Sequence, residues 1–291
     1  MVRPFDPVCP PPVAAQRGES FPRLVELMQR LLADDGCPWD REQTFASLRK
    51  YVLEEACEVI DAIDGGDRRD LCTELGDLLL QVVFQAELGR AEGSFGPDDV
   101  VAAICGKLVR RHPHVFGSEV ASTSEEVLRN WERIKAGERQ RDGKRDRGVL
   151  GGLGRSLPAL TRAQRVGEKV ATVGFDWPDV RGSRSKVTEE IQELDGAIAS
   201  DDKGRIEHEL GDVLFALVNL ARHLGVDAEG ALRCTIDKFT RRFEHVEARV
   251  RESHGGFATH QGDDKLTLAE LDGYWEEAKR EERTAERELG R

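Results

Sequence analysis

LEEACEVIDAIDGGDRRDLCTELGDLLLQVVF (residues 53–84) returns later in the chain as TEEIQELDGAIASDDKGRIEHELGDVLFALVN (residues 188–219), without a gap. An interval of 135 residues separates every pair of acids: Glu54 and Glu189, Glu55 and Glu190, Glu58 and Glu193, Glu74 and Glu209, Asp77 and Asp212. Further on, KLVRRHPHVF (107–116) is echoed by KFTRRFEHVE (238–247), and NWERIKAGER (130–139) by YWEEAKREER (274–283). Three blocks in the same order mark an internal duplication, and a repeat must be found before the fold can be read. Within each copy the apolar residues recur at helical spacing, as in Leu75, Leu78, Leu79, Val82 and Val83.

Working outward, the same periodicity predicts helices over about 20–34, 43–64, 68–91, 97–111 and 123–141 in the first half. In the second half it predicts them over about 158–172, 184–199, 202–223, 227–252 and 266–287. No segment between them alternates like a strand. The expected fold is all-α, a tandem repeat of two helical-bundle domains with four to five helices each. Residues 1–18, rich in proline, read as a disordered leader; 19–141 and 157–291 read as the domains. The Gly-rich and charged stretch 142–156 reads as the linker.

Composition agrees and narrows the function. Of the 291 residues 34% are charged and only 6% aromatic, which suits surface-rich helices rather than a sheet protein. The net charge of −12 repels nucleic acid and anionic membrane, so neither is an expected partner. The six cysteines show no CxxC pair and no accompanying histidine spacing, which argues against zinc and a disulfide framework and for a reducing, cytoplasmic setting. No apolar run has the length of a membrane span.

The acids of the repeated stretch are the candidate site. Glu55 and Glu58 stand three apart on one helix face, and Glu74 and Asp77 stand so on the next. Both the Glu58–Glu74 and the Glu55–Asp77 pairs are centred on residue 66, in the Gly65-Gly66 turn. An antiparallel hairpin about that turn puts each pair at one height, roughly 12 Å up for the inner one at about 1.5 Å per residue. In the second copy Glu190, Glu193, Glu209 and Asp212 repeat the symmetry about residue 201. Converging carboxylates repel unless a cation sits among them. Oxygen-only ligands suit Mg²⁺, with Mn²⁺ as a substitute. A di-iron bundle would carry ExxH, and these positions read ExxD. A triphosphate also needs cationic side chains, and Lys238, Arg241 and Arg242 cluster within a continuing helical pattern. Their counterparts Arg110 and Arg111, close before Pro113, suit compensation of a helix end instead.

GCPWDREQTFASLRKYVLEEACEVIDAI, ELGDLLLQVVF and KLVRRHPHVFG together closely resemble the MazG family of nucleoside triphosphate pyrophosphohydrolases, within the all-α NTP pyrophosphatase superfamily. The superfamily's EExxE followed by ExxD is met here by Glu54-Glu55-x-x-Glu58 with Glu74-x-x-Asp77, and by Glu189-Glu190-x-x-Glu193 with Glu209-x-x-Asp212. The resemblance covers residues 22–285. It implies Mg²⁺-dependent hydrolysis of nucleoside triphosphates to the monophosphate and pyrophosphate, and a homodimer of tandem-repeat chains. It also implies a substrate contact at Lys186, where the first copy has Tyr51 with Lys50 one residue aside, and a nucleotide-facing aromatic at Trp275. Trp275 as plain core is the competing reading. Trp39 and Trp177 either wall the pocket or anchor their loops. In this scheme Glu190, Glu193, Glu209 and Asp212 hold the metal, and Glu189 or Glu190 orients the attacking water. The second copy is the expected catalytic one, with broad base specificity. A dUTP- or dCTP-type pyrophosphatase and a non-catalytic nucleotide-sensing module are the rivals. A two-helix hairpin leaves an apolar face bare, so dimerisation or repeat–repeat packing must cover it.

Overall fold

The computed structural model describes residues 20–123, 148–257 and 265–288, together with 126, 127, 130, 131, 133, 134, 137 and 138. The leader over 1–18 and most of the linker's first half lie outside them. Among the described residues there is no strand, and every regular element is helical. The chain divides into two compact units, residues 1–142 and 143–291.

In the first unit, α1 (Phe21–Leu32) is followed by the short α2 (Pro38–Arg41), then by the long pair α3 (Phe45–Gly65) and α4 (Arg68–Ala91). After these come α5 (Pro97–Arg111) and the four-residue α6 (Pro113–Phe116). The hairpin is set by local chemistry. Thr44 caps α3 reciprocally with Ser47, whose backbone N–H donates to Thr44 Oγ1 at 3.1 Å while Ser47 Oγ accepts from the Thr44 N–H at 2.9 Å. Gly66 ends α3 in the left-handed region at φ 77°, its N–H reaching back to the Ala62 carbonyl. Asp67 then caps α4 by accepting from the Arg69 N–H at 2.7 Å. Met28, Leu48, Val83 and Phe84 form the core where α1 crosses the hairpin, with Tyr51 packed at its edge.

The second unit repeats the plan with α7 (Ala159–Ala171), α8 (Val180–Ala199), α9 (Lys203–His223), α10 (Ala228–His254) and α11 (Leu268–Glu288). Asp201, at φ 51°, fills the turn position that Gly66 holds in the first copy, and Asp202 caps α9 through the N–H groups of Gly204 and Arg205. Two details depart from expectation. Helix α8 begins at Val180 rather than 184, because Asp179 accepts from the Arg181 N–H at 2.8 Å and starts the helix there. The pieces α2 and α6 each begin on a proline, which favours a first helical turn. Trp177 lies flat on Gly182, where any Cβ would come within 2.2 Å of the indole. The loop anchor is thus made by the absence of a side chain.

Apolar residues stay bare along both hairpins: Leu53, Leu75 and Val82 in the first, Ile191, Leu214 and Leu217 in the second. Cys57, Cys72, Cys105 and Cys234 lie exposed and Cys37 half-buried, all of them free thiols. Periodicity alone suggests that these thiols fill a core, but their helix faces are uncovered in the single chain.

Candidate functional site

The hairpins bring the acids together in both units. Carboxylate oxygens of Glu55, Glu58 and Glu74 all lie within 4.8 Å of one another, and so do those of Glu190, Glu193 and Glu209. Asp77 is near enough for its charge to act on Glu55 and Glu74. Asp212 joins Glu209 in an overlapping group with His208. Burial, reinforced by the negative charge of Glu58 and Asp77, pushes the Glu55 carboxyl above the usual carboxylate range. Glu74 is raised by the same causes. Glu193 is raised first by sharing a hydrogen bond with Glu190 and then by burial.

The surroundings of the two quartets differ. In the second unit the Lys186 ammonium sits 2.6 Å from Glu189 Oε1 and 2.7 Å from Glu190 Oε1, and those bonds hold the lysine well above its ordinary pKa. Glu190 is only 6% exposed, so the pair is drawn into the hairpin. His208 Nδ1 lies 3.0 Å from Asp212. In the first unit, among the described residues, no lysine or arginine ion-pairs with Glu55, Glu58, Glu74 or Asp77. Tyr51 stands at the lysine's register, edge-on to Trp39 at 5.9 Å, and Lys50 is turned onto the Tyr51 ring. Gln81, 7% exposed, donates from Nε2 to Glu55 Oε1 at 3.4 Å, and its buried Oε1 has no partner. The amide's orientation follows from the chemistry, since a carboxylate can only accept.

The cations of the third repeated block gather elsewhere. Arg242 donates to Glu282 Oε2 at 2.8 and 2.6 Å and lies over the Trp275 ring, 5.6 Å from its centre. Trp275 also packs on Phe239 at 4.9 Å, while Lys238 and Arg241 are exposed. Among the described residues none of these four is hydrogen-bonded or ion-paired to a quartet carboxylate. The same strut exists in the first unit, where Arg111 donates to Glu138 Oε2 at 2.7 Å and Arg110 reaches Glu138 Oε1 at 3.4 Å. Arg242 therefore has a structural partner whatever else it contacts. Glu138, Glu282, Gln81 and His208 were not legible as site residues. Only Gln81 carried a signal, lying one turn beyond Asp77 on the face that holds Glu74.

A hard divalent cation fits what the hairpins present. The quartet offers only carboxylate oxygens in each unit, mutually repelling, and beside the first lies an orphaned buried amide oxygen. In the second unit a lysine ammonium already satisfies part of that demand.

The chain matches the MazG nucleotide pyrophosphohydrolase domain over residues 43–116 and again over residues 182–247. It is 49% identical over 263 residues to the Escherichia coli (strain K12) nucleoside triphosphate pyrophosphohydrolase, covering 89% of this chain and 97% of that protein. To the Thermotoga maritima nucleoside triphosphate pyrophosphohydrolase/pyrophosphatase MazG it is 41% identical over 264 residues, covering 91% of this chain and 97% of that protein. The duplicated match coincides with the two hairpins that carry the acids.

Proposed function

The chain belongs to the MazG nucleotide pyrophosphohydrolase family, and from that premise we propose that it is a Mg²⁺-dependent enzyme hydrolysing NTPs and dNTPs to the monophosphate and pyrophosphate. The observation that carries the reading is the meeting of Glu190, Glu193 and Glu209 within 4.8 Å, beside a lysine held by Glu189 and Glu190. Glu190, Glu193, Glu209 and Asp212 hold the metal. Held there, Mg²⁺ or Mn²⁺ would supply positive charge to neutralise the triphosphate and activate the α-phosphorus toward water. Glu189, exposed and, among the described residues, bonded to Lys186, is the carboxylate placed to orient the water. Lys186, already against the quartet's Glu190, is the cation offered to a phosphate oxygen. Lys238 and Arg241 extend the cationic surface, and Trp275 offers a ring to a base without reading its edges, which supports broad base specificity. In the first unit Glu55, Glu58, Glu74 and Asp77 form the matching cation site.

The bare apolar faces of the hairpins support a homodimer, and the acidic charge with free thiols supports a cytoplasmic setting. No described helix is long and apolar enough to cross a membrane. The test is pyrophosphate release from eight nucleotides, with Mg²⁺ and with chelator. Release from most of them, abolished by chelation, is the expected outcome. Strict preference for one deoxypyrimidine would replace broad specificity with a dUTP- or dCTP-type activity, and no release would leave a sensing module. A 32 kDa species in sedimentation would overturn the dimer.

A further inference from the structure

We propose that the two quartets take their divalent cation under different conditions: the first binds it alone, and the second binds it together with the triphosphate because Lys186 already holds the cation's place. The inference rests on the reading of both quartets as divalent-cation sites.

Two registers carry it, and both are exchanged between the copies. At the first, one turn before the leading glutamate, stand Tyr51 and Lys186. At the second, one turn beyond the closing aspartate, stand Gln81 and Ala216. The second unit therefore has an internal cation and no extra oxygen. Its Lys186 bridges the exposed Glu189 and the buried Glu190 at 2.6 and 2.7 Å, so water screens the Glu190 end least. An incoming metal must displace that ammonium from Glu190 or share the carboxylate with it. A triphosphate changes the balance, because it gives Lys186 a new anionic partner as the metal arrives. Each ligand then clears the way for the other, and such coupling is reciprocal.

In the first unit, among the described residues, no lysine or arginine is ion-paired to the quartet. Tyr51 is held in the core edge against Trp39, and Lys50 lies over the Tyr51 ring instead of over the acids. Gln81 is more than nine-tenths buried, with Nε2 on Glu55 and a bare Oε1 beside the cluster, an oxygen donor that no protein group uses. Hard cations take amide carbonyl oxygens as ligands alongside carboxylates. The first hairpin is thus a standing metal site, and the second a site completed by its substrate.

Free Mn²⁺ is counted by electron paramagnetic resonance on the full chain, with and without a triphosphate whose α,β bridge is methylene. Circular dichroism checks each variant's helicity. Without nucleotide, one class of Mn²⁺ sites is expected, kept by Glu193→Gln and lost by Glu58→Gln. The analogue should add a second class, lost by Glu193→Gln. Lys186→Met should let the second quartet fill without nucleotide, about tenfold more tightly than in the native chain. Gln81→Leu should weaken the first class severalfold. Equal filling of both quartets without nucleotide, or no tightening in Lys186→Met, overturns the inference while leaving the metal reading intact. An unchanged first class in Gln81→Leu overturns the part given to its amide. No Mn²⁺ on any form, with or without the analogue, overturns the metal reading itself.

Discussion

Helices α3 and α4 raise their acids around an uncompensated pocket, whereas α8 and α9 raise the same acids around a lysine. In the first hairpin burial and like charge push Glu55 and Glu74 upward. In the second, Lys186 spreads its charge between Glu189 and Glu190. A duplication preserved the ligand geometry because the hairpin and its turn preserve it, but the neighbours that decide what the geometry does were free to diverge. The supports differ in the same way. Glu87 of the first unit is buried and pairs with Gln29 and Arg90 at 3.4 Å. Its counterpart 135 residues on is Arg222, bonded to Asp176 at 2.9 and 2.5 Å, so the sign of the charge at that register is reversed. One plan, then, supports two different electrostatic solutions.

The contrast is most sharply broken by activity. Glu193→Gln is expected to lower pyrophosphate release by about a hundredfold or more with helicity unchanged, while Glu58→Gln leaves most of it, since a metal ligand contributes several kcal/mol to a charged transition state. Equal losses would make the two hairpins equivalent. Next in size is the support of the second unit. Asp176→Asn is expected to cost about 2 kcal/mol in thermal unfolding, because Arg222 loses a charged acceptor in a largely buried place. The Asp176 carboxyl is held below its ordinary range chiefly by its hydrogen bond to Arg222, with His223 adding to it. Its contribution is therefore complete above the normal carboxylate range and is lost as the pH falls through the lowered value. A native chain whose acid unfolding matches that of Asp176→Asn would contradict this. Glu282→Gln sharpens the role of Arg242. A strut predicts a loss of about 1 kcal/mol in stability with an unchanged KM, matched by Glu138→Gln in the first unit. A fall in KM would show that the arginine, once released, serves the substrate. The smallest effect sits at the turns. Gly66→Ala should cost about 1 kcal/mol, since its left-handed backbone penalises a Cβ even with open space around it, and Asp201→Gly should cost nothing or stabilise slightly. Loss of stability in Asp201→Gly would show that the aspartate side chain itself holds the second turn.

Much of this was written in the chain. Amphipathic spacing, the caps Thr44, Asp67 and Asp202, and the interval of 135 residues determine the helices, the hairpins and which acids share a height. These are local or one-turn relations, so they are written in the spacing along helices of 20 residues or more. Helix α8 starts four residues before its apolar periodicity does, because the Asp179 N-cap outweighs a gap in that periodicity. Lys186 meets Glu189 and Glu190 within one helical turn, whereas only tertiary structure set Gln81 beside Glu55. The meeting of buried Gln81 with Glu55, and the closing of Arg111 on Glu138 and Arg242 on Glu282, depend on side chains far apart in sequence. The sequence offers Arg242 as a cation for a phosphate, and the fold adds a glutamate 40 residues away that it also bonds. Charge in a sequence is a count, but in a fold it is a pairing. Distance and desolvation set that pairing, and only the packed chain fixes them.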